Sequence, residues 1–445
     1  FEPPPNQKNR SQRNIMILSI RCCFVKELTI SACGLRGLTR HVFDREWCWE
    51  DNSQMVIEAT NLAQQEKQAP KSLPAPVLID TPAAFASMLD TLSTQPALAL
   101  DTESNSLYRY HYRVCLIQIS TTGVDFLLDP LRLRDIGPLG KILANDSVQK
   151  VFHAAENDIL MLKRDFGFSF ANIFDTMLAA RILGWPHVGL AALLLEHFGV
   201  TLDKRAQLTD WGQRPLTSAQ LSYARLDSHY LLDLRDLLSD ALRARKRWRE
   251  ATESFEGLPQ VTYTEKAFDP EGFWRIKGAR DLAPDELAVL RELYLWRDEQ
   301  ARTLDRPPFK VLSDQVLLQF SRLQPQHLHE LRLSPRQLDQ IGKKLLGVIA
   351  RGRCAPPPAP PARTHNGNTR PDPEVQARFD RLRAWRAQRA AERQVDADIV
   401  LTNDALMSIS RAAPTNVEAL ADVGVMGEWK LQEYGPDLLR VLNAS

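Results

Sequence analysis

Four acidic residues in this chain have the types and the spacing that bind divalent metal ions, and a tyrosine lies four residues before the last of them. Asp101 ends an apolar stretch, residues 96–101, that has the pattern of a buried strand, and Glu103 follows two residues later. Side chains two apart on a strand point to the same face. Two adjacent carboxylates repel each other and raise one another's pKa unless a cation lies between them. The pair therefore indicates a site for Mg²⁺ or Mn²⁺, which take hard oxygen ligands.

The other acids lie on predicted helices farther along the chain. The apolar spacing predicts a helix over residues 156–166, which places Asp158 in its first turn. A second, long helix is predicted to begin near Thr217. Tyr223 and Asp227 lie four residues apart on it, so they share one face. This pattern predicts that a phenol and a carboxylate point into the same space.

Together these residues could hydrolyse a phosphodiester bond with two Mg²⁺ or Mn²⁺ ions as cofactors. Two ions about 4 Å apart can clamp the attacking and leaving oxygens of a displacement at phosphorus. Asp101 is then the shared ligand, and Glu103 and Asp227 complete one site. Asp158 holds the second ion through water. Tyr223 orients the attacking water, because its ordinary pKa of about 10 makes a phenol a poor base at neutral pH.

Each of these residues also has an ordinary structural interpretation when it is taken alone. An Asp-x-Glu at a strand end is often a solvated turn, and Asp158 suits the positive end of a helix dipole. Tyr223 fits a half-buried core position. Asp175 is interpreted as a helix cap and not as a ligand. The order of the acids, with the strand and helix pattern between them, favours the metal site.

With these residues the chain resembles the DEDD superfamily of 3′-5′ exonucleases, in its tyrosine-bearing branch, and within it the ribonuclease D family. Three further blocks carry the resemblance: Val-Cys-Leu-Ile-Gln-Ile-Ser from position 114, Phe-Asp-Thr from position 174, and residues 203–217. The resemblance implies an α/β ribonuclease H-like domain over 76–250, with a mixed sheet flanked by helices. It also implies release of nucleoside 5′-monophosphates from RNA with a free 3′ hydroxyl, and tRNA precursors are the expected substrates.

The carboxyl-terminal half repeats itself at a fixed offset. Trp296-Arg297 is followed by Val311, fifteen residues after the tryptophan, and Trp385-Arg386 is followed by Val400 at the same interval. Both copies resemble the HRDC domain (helicase and RNase D C-terminal), an all-α helical bundle that implies nucleic-acid binding. We predict HRDC domains at 280–353 and 374–445, with a Pro-rich linker at 355–373 between them.

The net charge of the chain is only +1, so no overall field attracts a polyanion. Basic residues do cluster at the end of the predicted exonuclease domain and on the first helix of the second module. Such runs either line a phosphate path or are solvated helix faces paired with acids, and the sequence leaves both interpretations open. The candidate nucleic-acid contacts are Arg243, Arg245, Lys246, Arg247, Arg386 and Arg389.

Two other functions fit parts of the sequence. The same metal site would serve a DNA-directed exonuclease of the repair type, although no Gly-x-x-x-x-Gly-Lys loop accompanies it. Contacts with the 2′ hydroxyl distinguish RNA from DNA and leave no pattern in a sequence. A non-catalytic nucleic-acid-binding scaffold is the second alternative. The complete set of acids disfavours it.

Residues 1–54 are expected to be a non-native or disordered extension, with translation starting at Met55, or alternatively at Met16. They hold four of the six cysteines, without the spacing of a zinc site. Charged residues interrupt the apolar stretch 17–30, so no membrane span is expected there. Cys115 and Cys354 lie far apart in the sequence, which indicates a reducing compartment. We expect a cytoplasmic protein, and a monomer is favoured.

Overall fold

The structure is a computed structural model that describes residues 73–203, 205–265, 267–360 and 372–443. The predicted extension at 1–54, its proposed start at Met55 and most of the predicted Pro-rich linker lie outside these ranges. Among the helices within them, none combines the length and the apolar character needed to cross a bilayer.

The first part of the described chain folds around one six-stranded mixed sheet. Its strands are β1 (Val77–Ile79), β2 (Ala97–Ser104), β3 (Val114–Ser120), β4 (Asp125–Leu128), β5 (Gln149–Phe152) and β6 (Ile173–Asp175). Their order across the sheet is β1-β4-β3-β2-β5-β6. Strand β3 runs antiparallel to both of its neighbours, β2 and β4, and the remaining pairs are parallel. The mixed sheet confirms the predicted α/β class.

Eight helices of this domain surround the sheet within the described residues. They are α1 (Pro82–Ser93), α2 (Gly137–Leu143), α3 (Glu156–Phe166), α4 (Thr176–Leu183), α5 (Leu190–Phe198), α6 (Ser218–His229), α7 (Leu231–Ala244) and α8 (Trp248–Glu256). Helix α3 has the bounds that the apolar spacing predicts. Its first turn carries Asp158, as expected.

The alternation of side chains along β2 divides the core into two apolar layers. Leu98 and Leu100 belong to the cluster that contains residues of α1, α2 and α3. Ala97 and Ala99 belong to the opposite cluster, which contains residues of α4, α7 and α8. Because side chains alternate with a period of two, the odd-numbered residues farther along β2 continue the second face. This parity decides which way the acids of β2 point.

The long helix predicted from Thr217 is two helices. It begins with a capping box, in which the Thr217 hydroxyl accepts from the Gln220 amide N–H at 3.2 Å and the Gln220 side chain accepts from the Thr217 amide N–H at 3.0 Å. The helix ends at Tyr230, where the backbone dihedrals are φ −93° and ψ 0°. The break lets α6 cover β2, β3 and β4, while α7 packs against α4.

Buried polar contacts fix α6 on the sheet. The Arg225 guanidinium donates to the Asp125 carboxylate at 2.8 Å, and His229 Nδ1 lies 2.9 Å from the same carboxylate. The hydroxyl groups of Ser120 and Ser228 lie 2.8 Å apart. Asp125 and Arg225 are both buried, so neither has water as an alternative partner. These contacts set the position of α6 along β3 and β4.

Two helical modules follow, as the sequence repeat predicts. The helices of the first are α9 (Pro284–Thr303), α10 (Pro308–Val311), α11 (Asp314–Leu323), α12 (Pro335–Gln337) and α13 (Lys343–Cys354). The helices of the second are α14 (Pro373–Arg393), α15 (Ala397–Val400), α16 (Asn403–Ala412), α17 (Val417–Asp422) and α18 (Glu428–Asn443). In the first module a 3-10 turn, the single turn of α12 and a π turn occupy the region between α11 and α13.

The repeated Trp-Arg pair has a packing role in both modules. The buried Arg297 donates to the Leu312 carbonyl at 3.0 Å. The corresponding Arg386 donates to the Leu401 carbonyl and to the Asn403 side chain, each at 2.8 Å. Arg386 is 7% exposed, so the structure corrects the expectation that this guanidinium reaches a phosphate. Its donors are directed inside the module.

Both modules contact the sheet domain. On the first, the Tyr110 hydroxyl donates to Asp298 at 2.9 Å, and the ammonium of Lys310 lies 3.4 Å from the centre of the Tyr108 ring. On the second, Arg181 of α4 forms an ion pair with Asp398 at 2.7 Å. The second module therefore docks through charged groups on α4 and on α8, where Glu250 pairs with Arg393, whereas the first docks on the loop after β2.

We expect Asp125→Ala to lower the free energy of unfolding by about 3–5 kcal/mol, because it leaves the buried Arg225 without its partner. Asp240→Ala is the matched control, since that side chain is 85% exposed and its contact with Arg243 spans 3.5 Å. The control should lose no more than about 1 kcal/mol. Urea unfolding followed by circular dichroism measures both. Similar losses in the two variants would contradict the anchoring role.

Candidate active site

Strand β2 places Asp101 and Glu103 on one face of the sheet. Both residues lie within the strand and share the parity of Ala97 and Ala99. The strand is held on both sides, by β5 in parallel and by β3 in antiparallel pairing. The predicted common face is therefore confirmed, and both carboxylates point towards the side that α6 covers.

Helix α6 brings Asp227 to the two acids of β2. One carboxylate oxygen each from Asp101, Glu103 and Asp227 can be chosen so that all three lie within 4.8 Å of one another. The strand β2 and the helix α6 thus offer three oxygen ligands around one centre. This geometry suits a hard divalent cation.

Asp158 approaches the group from the other face of β2. It lies in the first turn of α3, the helix whose Ile159 and Leu162 pack in the layer under Leu98 and Leu100. Thr102 is the residue between the two acids of β2, and its hydroxyl donates a hydrogen bond to the Asp158 carboxylate. Asp158 is 8% exposed and is not one of the three converging residues. The predicted four-acid set is therefore arranged as three acids together and one held beside them by Thr102.

Burial raises the pKa of every carboxyl group in this cluster, and the charge of at least one neighbouring acid adds to it. Burial, followed by the negative charges of Asp227 and Asp158, raises the pKa of Glu103 to about 9. Burial is also the main cause that raises the pKa of Asp158 and of Asp227 to about 7. The pKa of Asp101 rises through burial and then through the charges of its three acidic neighbours. Four anions are unfavourable here without a compensating cation.

Two buried polar groups fit the presence of a cation. Oxygen Oδ2 of Asp227 is buried and has no hydrogen-bond partner among the described residues. Gln118 lies opposite Asp101 in the pairing of β2 with β3, and its fully buried amide has no partner in the same ranges. An unused carboxylate oxygen is available as a metal ligand, and the amide is available to a neighbouring carboxylate. Gln118 was not singled out from the sequence, although a Gln inside a continuous apolar strand is a signal.

Tyr223 lies half-buried on the face of α6 that carries Asp227. Its hydroxyl faces the Asp227 carboxylate. Burial, followed by the negative charge of Asp227, raises the pKa of the phenol above its ordinary value. The phenol therefore stays protonated at neutral pH and can donate a hydrogen bond. This agrees with the predicted positioning role better than with a role as base.

Asp175 caps helices and holds the segment before α3, which confirms its structural interpretation. Its carboxylate accepts from the amide N–H of Met177 and Leu178 in the first turn of α4. It also accepts from the amide N–H of Ala154 and Ala155, which precede α3. The Asp175 carboxylate therefore fixes the start of α3, the helix that carries Asp158.

The predicted basic residues are mostly engaged within the protein. Arg245 donates to the Leu183 carbonyl at 2.6 Å, and Arg247 donates to the Arg393 carbonyl at 2.9 Å. Arg389 pairs with Asp437 at 3.2 Å. Arg243, with 58% of its side chain exposed, and the exposed Lys246 keep accessible charge. For these two residues a phosphate contact stays a prediction.

Family models match most of the described chain. The model of a 3′-5′ exonuclease domain matches residues 76–243. The model of the HRDC domain matches residues 286–349 and 375–442. The matches follow the sheet domain and the two helical modules in order.

Curated relatives and solved structures agree with these matches. Exosome complex component 10 homolog of Caenorhabditis elegans is 36% identical over 61% of this chain, which spans only 32% of that protein. The crystal structure of the catalytic core of RRP6 from Trypanosoma brucei has a TM-score of 0.58 and 28% identity, covering 63% of this chain and 80% of that one. Both similarities cover about three fifths of this chain.

Ribonuclease D matches nearly end to end. The enzyme of Pseudomonas paraeruginosa is 32% identical over 82% of this chain and 96% of its own length. The crystal structure of Escherichia coli RNase D, described as an exoribonuclease involved in structured RNA processing, has a TM-score of 0.54 and 27% identity. It covers 83% of this chain and 99% of that one. The chain belongs to the ribonuclease D family of 3′-5′ exoribonucleases.

Proposed function

We propose that the chain removes nucleoside 5′-monophosphates one at a time from RNA with a free 3′ hydroxyl, with two Mg²⁺ or Mn²⁺ ions as cofactors. The convergence of three carboxylates within 4.8 Å is the observation that carries this proposal. When bound, such ions activate a water molecule and stabilise the departing 3′ oxygen. The proposed ligands are Asp101, Glu103, Asp158 and Asp227.

The side chains of the site would orient the reacting groups. Tyr223, with its phenol protonated, would donate a hydrogen bond to the attacking water, because its pKa is raised by burial and by Asp227. Thr102 would hold the carboxylate of Asp158 in place through its hydroxyl. The site is therefore built to fix carboxylates before the substrate arrives.

We propose that the substrates are structured RNAs, and that they include tRNA precursors, from which the enzyme would remove the 3′ trailer. The near-complete coverage of bacterial ribonuclease D supports RNA over DNA. The structured-RNA processing attributed to the Escherichia coli enzyme supports the substrate class. A cytoplasmic monomer is part of the same proposal. Cys115 and Cys354 form no disulfide with each other, which agrees with a reducing compartment.

The direct test is a digestion of matched substrates in Mg²⁺: a 5′-labelled single-stranded RNA, the DNA of the same sequence, and a tRNA precursor with a 3′ trailer. We expect stepwise shortening of the RNA, removal of the trailer, and nucleoside 5′-monophosphates in the chromatogram. The same RNA with a 3′ phosphate is the control, which should resist. Equal rates on DNA and RNA would contradict the sugar preference, and activity in EDTA would contradict the metal requirement.

Active-site variants should separate the metal ligands from the positioning tyrosine. Asp101→Asn should abolish turnover while circular dichroism stays unchanged, because it removes the proposed shared ligand. Tyr223→Phe should lower kcat by roughly 10²-fold, within the range for one positioned catalytic group. Single-turnover assays on labelled RNA measure both effects. Full activity of Asp101→Asn would exclude the proposed site.

The pKa shifts predict a pH dependence of stability that metal ions reverse. The pKa of Asp158 and Asp227 is about 7 and that of Glu103 about 9, against ordinary values of 3.8 and 4.5. The folded protein thus binds more protons than the unfolded chain between these values, so without metal its stability falls as pH rises from about 4 to about 9. Mn²⁺ binding favours the ionised carboxylates and should stabilise most at high pH.

Calorimetry at pH values from about 5 to about 9 tests this, in EDTA and in Mn²⁺. We expect the Tm gained with Mn²⁺ to grow with pH, and Asp101→Asn to reduce that gain. A Mn²⁺-induced shift that is independent of pH in the wild-type protein would contradict the assignment of these carboxyls as ligands.

A further inference from the structure

We propose that a cleft between the sheet domain and the first helical module binds the bases of the RNA strand that precede the reacting 3′ nucleotide. The inference deepens the proposed function and rests on it. The cleft has a volume of about 1430 Å³ and is lined by residues of β2, of the loop after it, of α3 and α9, and of the connection between α8 and α9. None of these lining residues is one of the proposed metal ligands.

The cleft is lined by sequence neighbours of two of the acids. Ser104, in its lining, directly follows Glu103 on β2, and Asn157, also in its lining, directly precedes Asp158 on α3. Two walls of the cleft therefore start at the ends of the elements that carry the acids. An RNA strand whose terminal phosphodiester lies at the acids would extend into this cleft.

Exposed aromatic rings give the cleft its chemistry. Tyr112, Tyr263 and Phe268 line it and are 38%, 41% and 39% exposed, so their rings are accessible to a ligand. The Arg164 guanidinium lies 4.4 Å from the centre of the Tyr112 ring and 5.4 Å from that of Tyr263. The Phe268 ring stacks on Tyr294 with centroids 5.3 Å apart. Aromatic rings and arginine planes are the surfaces on which unpaired bases stack.

The size of the cleft favours a strand over a single nucleotide. Pockets of roughly 300–1,000 Å³ enclose one drug-sized molecule. The cleft, at about 1430 Å³, exceeds that range. It therefore has room for more than one nucleotide, as an upstream segment requires.

The charges of the cleft predict that stacking, and not phosphate neutralisation, provides the affinity. Arg164 is paired with Asp165 at 2.6 Å. Arg302, the other arginine of the lining, lies with the acidic Glu265, Asp298 and Glu299. There is no excess of positive charge to release counterions, so the salt dependence of binding through the cleft should be weak. A groove that tracks phosphates would show a steep salt dependence.

The first helical module completes this cleft. Helix α9 contributes Leu295 and Asp298, and the Tyr110 hydroxyl fastens Asp298 to the sheet domain at 2.9 Å. The connection that carries Tyr263 is held on α3, where the Lys163 ammonium donates to the Val261 carbonyl at 2.8 Å. The module therefore has a specific role in this chain, as one wall of a base-binding path.

The test compares Tyr263→Ala and Phe268→Ala with Phe309→Ala, an aromatic that is 53% exposed and outside the cleft lining. The probe is a 5′-fluorescein single-stranded RNA of about 12 nucleotides, titrated in EDTA by fluorescence anisotropy at two salt concentrations. Each cleft variant should raise Kd by roughly 5-fold or more, since base stacking is lost. The control should bind as the wild type does, and Tyr263→Phe should restore binding because it keeps the ring.

Steady-state kinetics in Mg²⁺ then separate an effect on the cleft from an effect on the active site. The KM of the cleft variants should rise on the long RNA and much less on a dinucleotide, which does not reach the upstream rings. Equal losses on both substrates, or no loss of affinity, would overturn the proposal. If the wild type binds RNA, and removal of the rings weakens that binding, but no RNA is shortened, then the proposed function is wrong and only the binding of RNA in the cleft is supported. If RNA is shortened without ring dependence, the cleft alone fails.

Discussion

The acids around the end of β2 repel one another in surroundings that exclude most of their water, and the rest of the domain is arranged to hold them there. Burial is the largest cause of each raised pKa, and the neighbouring charges add to it. The sheet fixes two acids, Asp125 and Arg225 fasten the helix that carries Asp227, and Asp175 fixes the start of the helix that carries Asp158. Holding ionised carboxylates close together in a buried site lowers the stability of the fold, and a bound cation would offset that loss.

The two helical modules repeat one packing scheme but dock differently. In each, a buried arginine after a tryptophan closes the first helix onto the following loop. The first module meets the loop after β2, where Tyr110 contacts Asp298 and a wall of the aromatic cleft is formed. The second is fastened by ion pairs such as Arg181 with Asp398. The two modules therefore share their internal packing and differ in the surface residues that contact the sheet domain.

A chain with a net charge of +1 and a strongly acidic site does not attract nucleic acid through its overall field. Many of its arginines are engaged in holding the domains together, as Arg247 does with the Arg393 carbonyl. Recognition must then use local chemistry. In the proposed function, aromatic rings near the acids would supply stacking that does not depend on net charge, and divalent ions would neutralise the phosphate only at the reacting bond.

The sequence alone determined the elements and the side-chain directions that follow from their periods. A period of two put Asp101 and Glu103 on one face, and a spacing of four put Tyr223 and Asp227 on one face, because these rules are local. Only the tertiary structure decided that Arg386 is buried, that the helix breaks at Tyr230, and that Thr102 holds Asp158. The hydroxyl of Thr102 and its partner are separated by 56 positions, and Arg225 and Asp125 by 100. Such pairings and the burial that they bring depend on how distant elements pack, which local spacing does not encode.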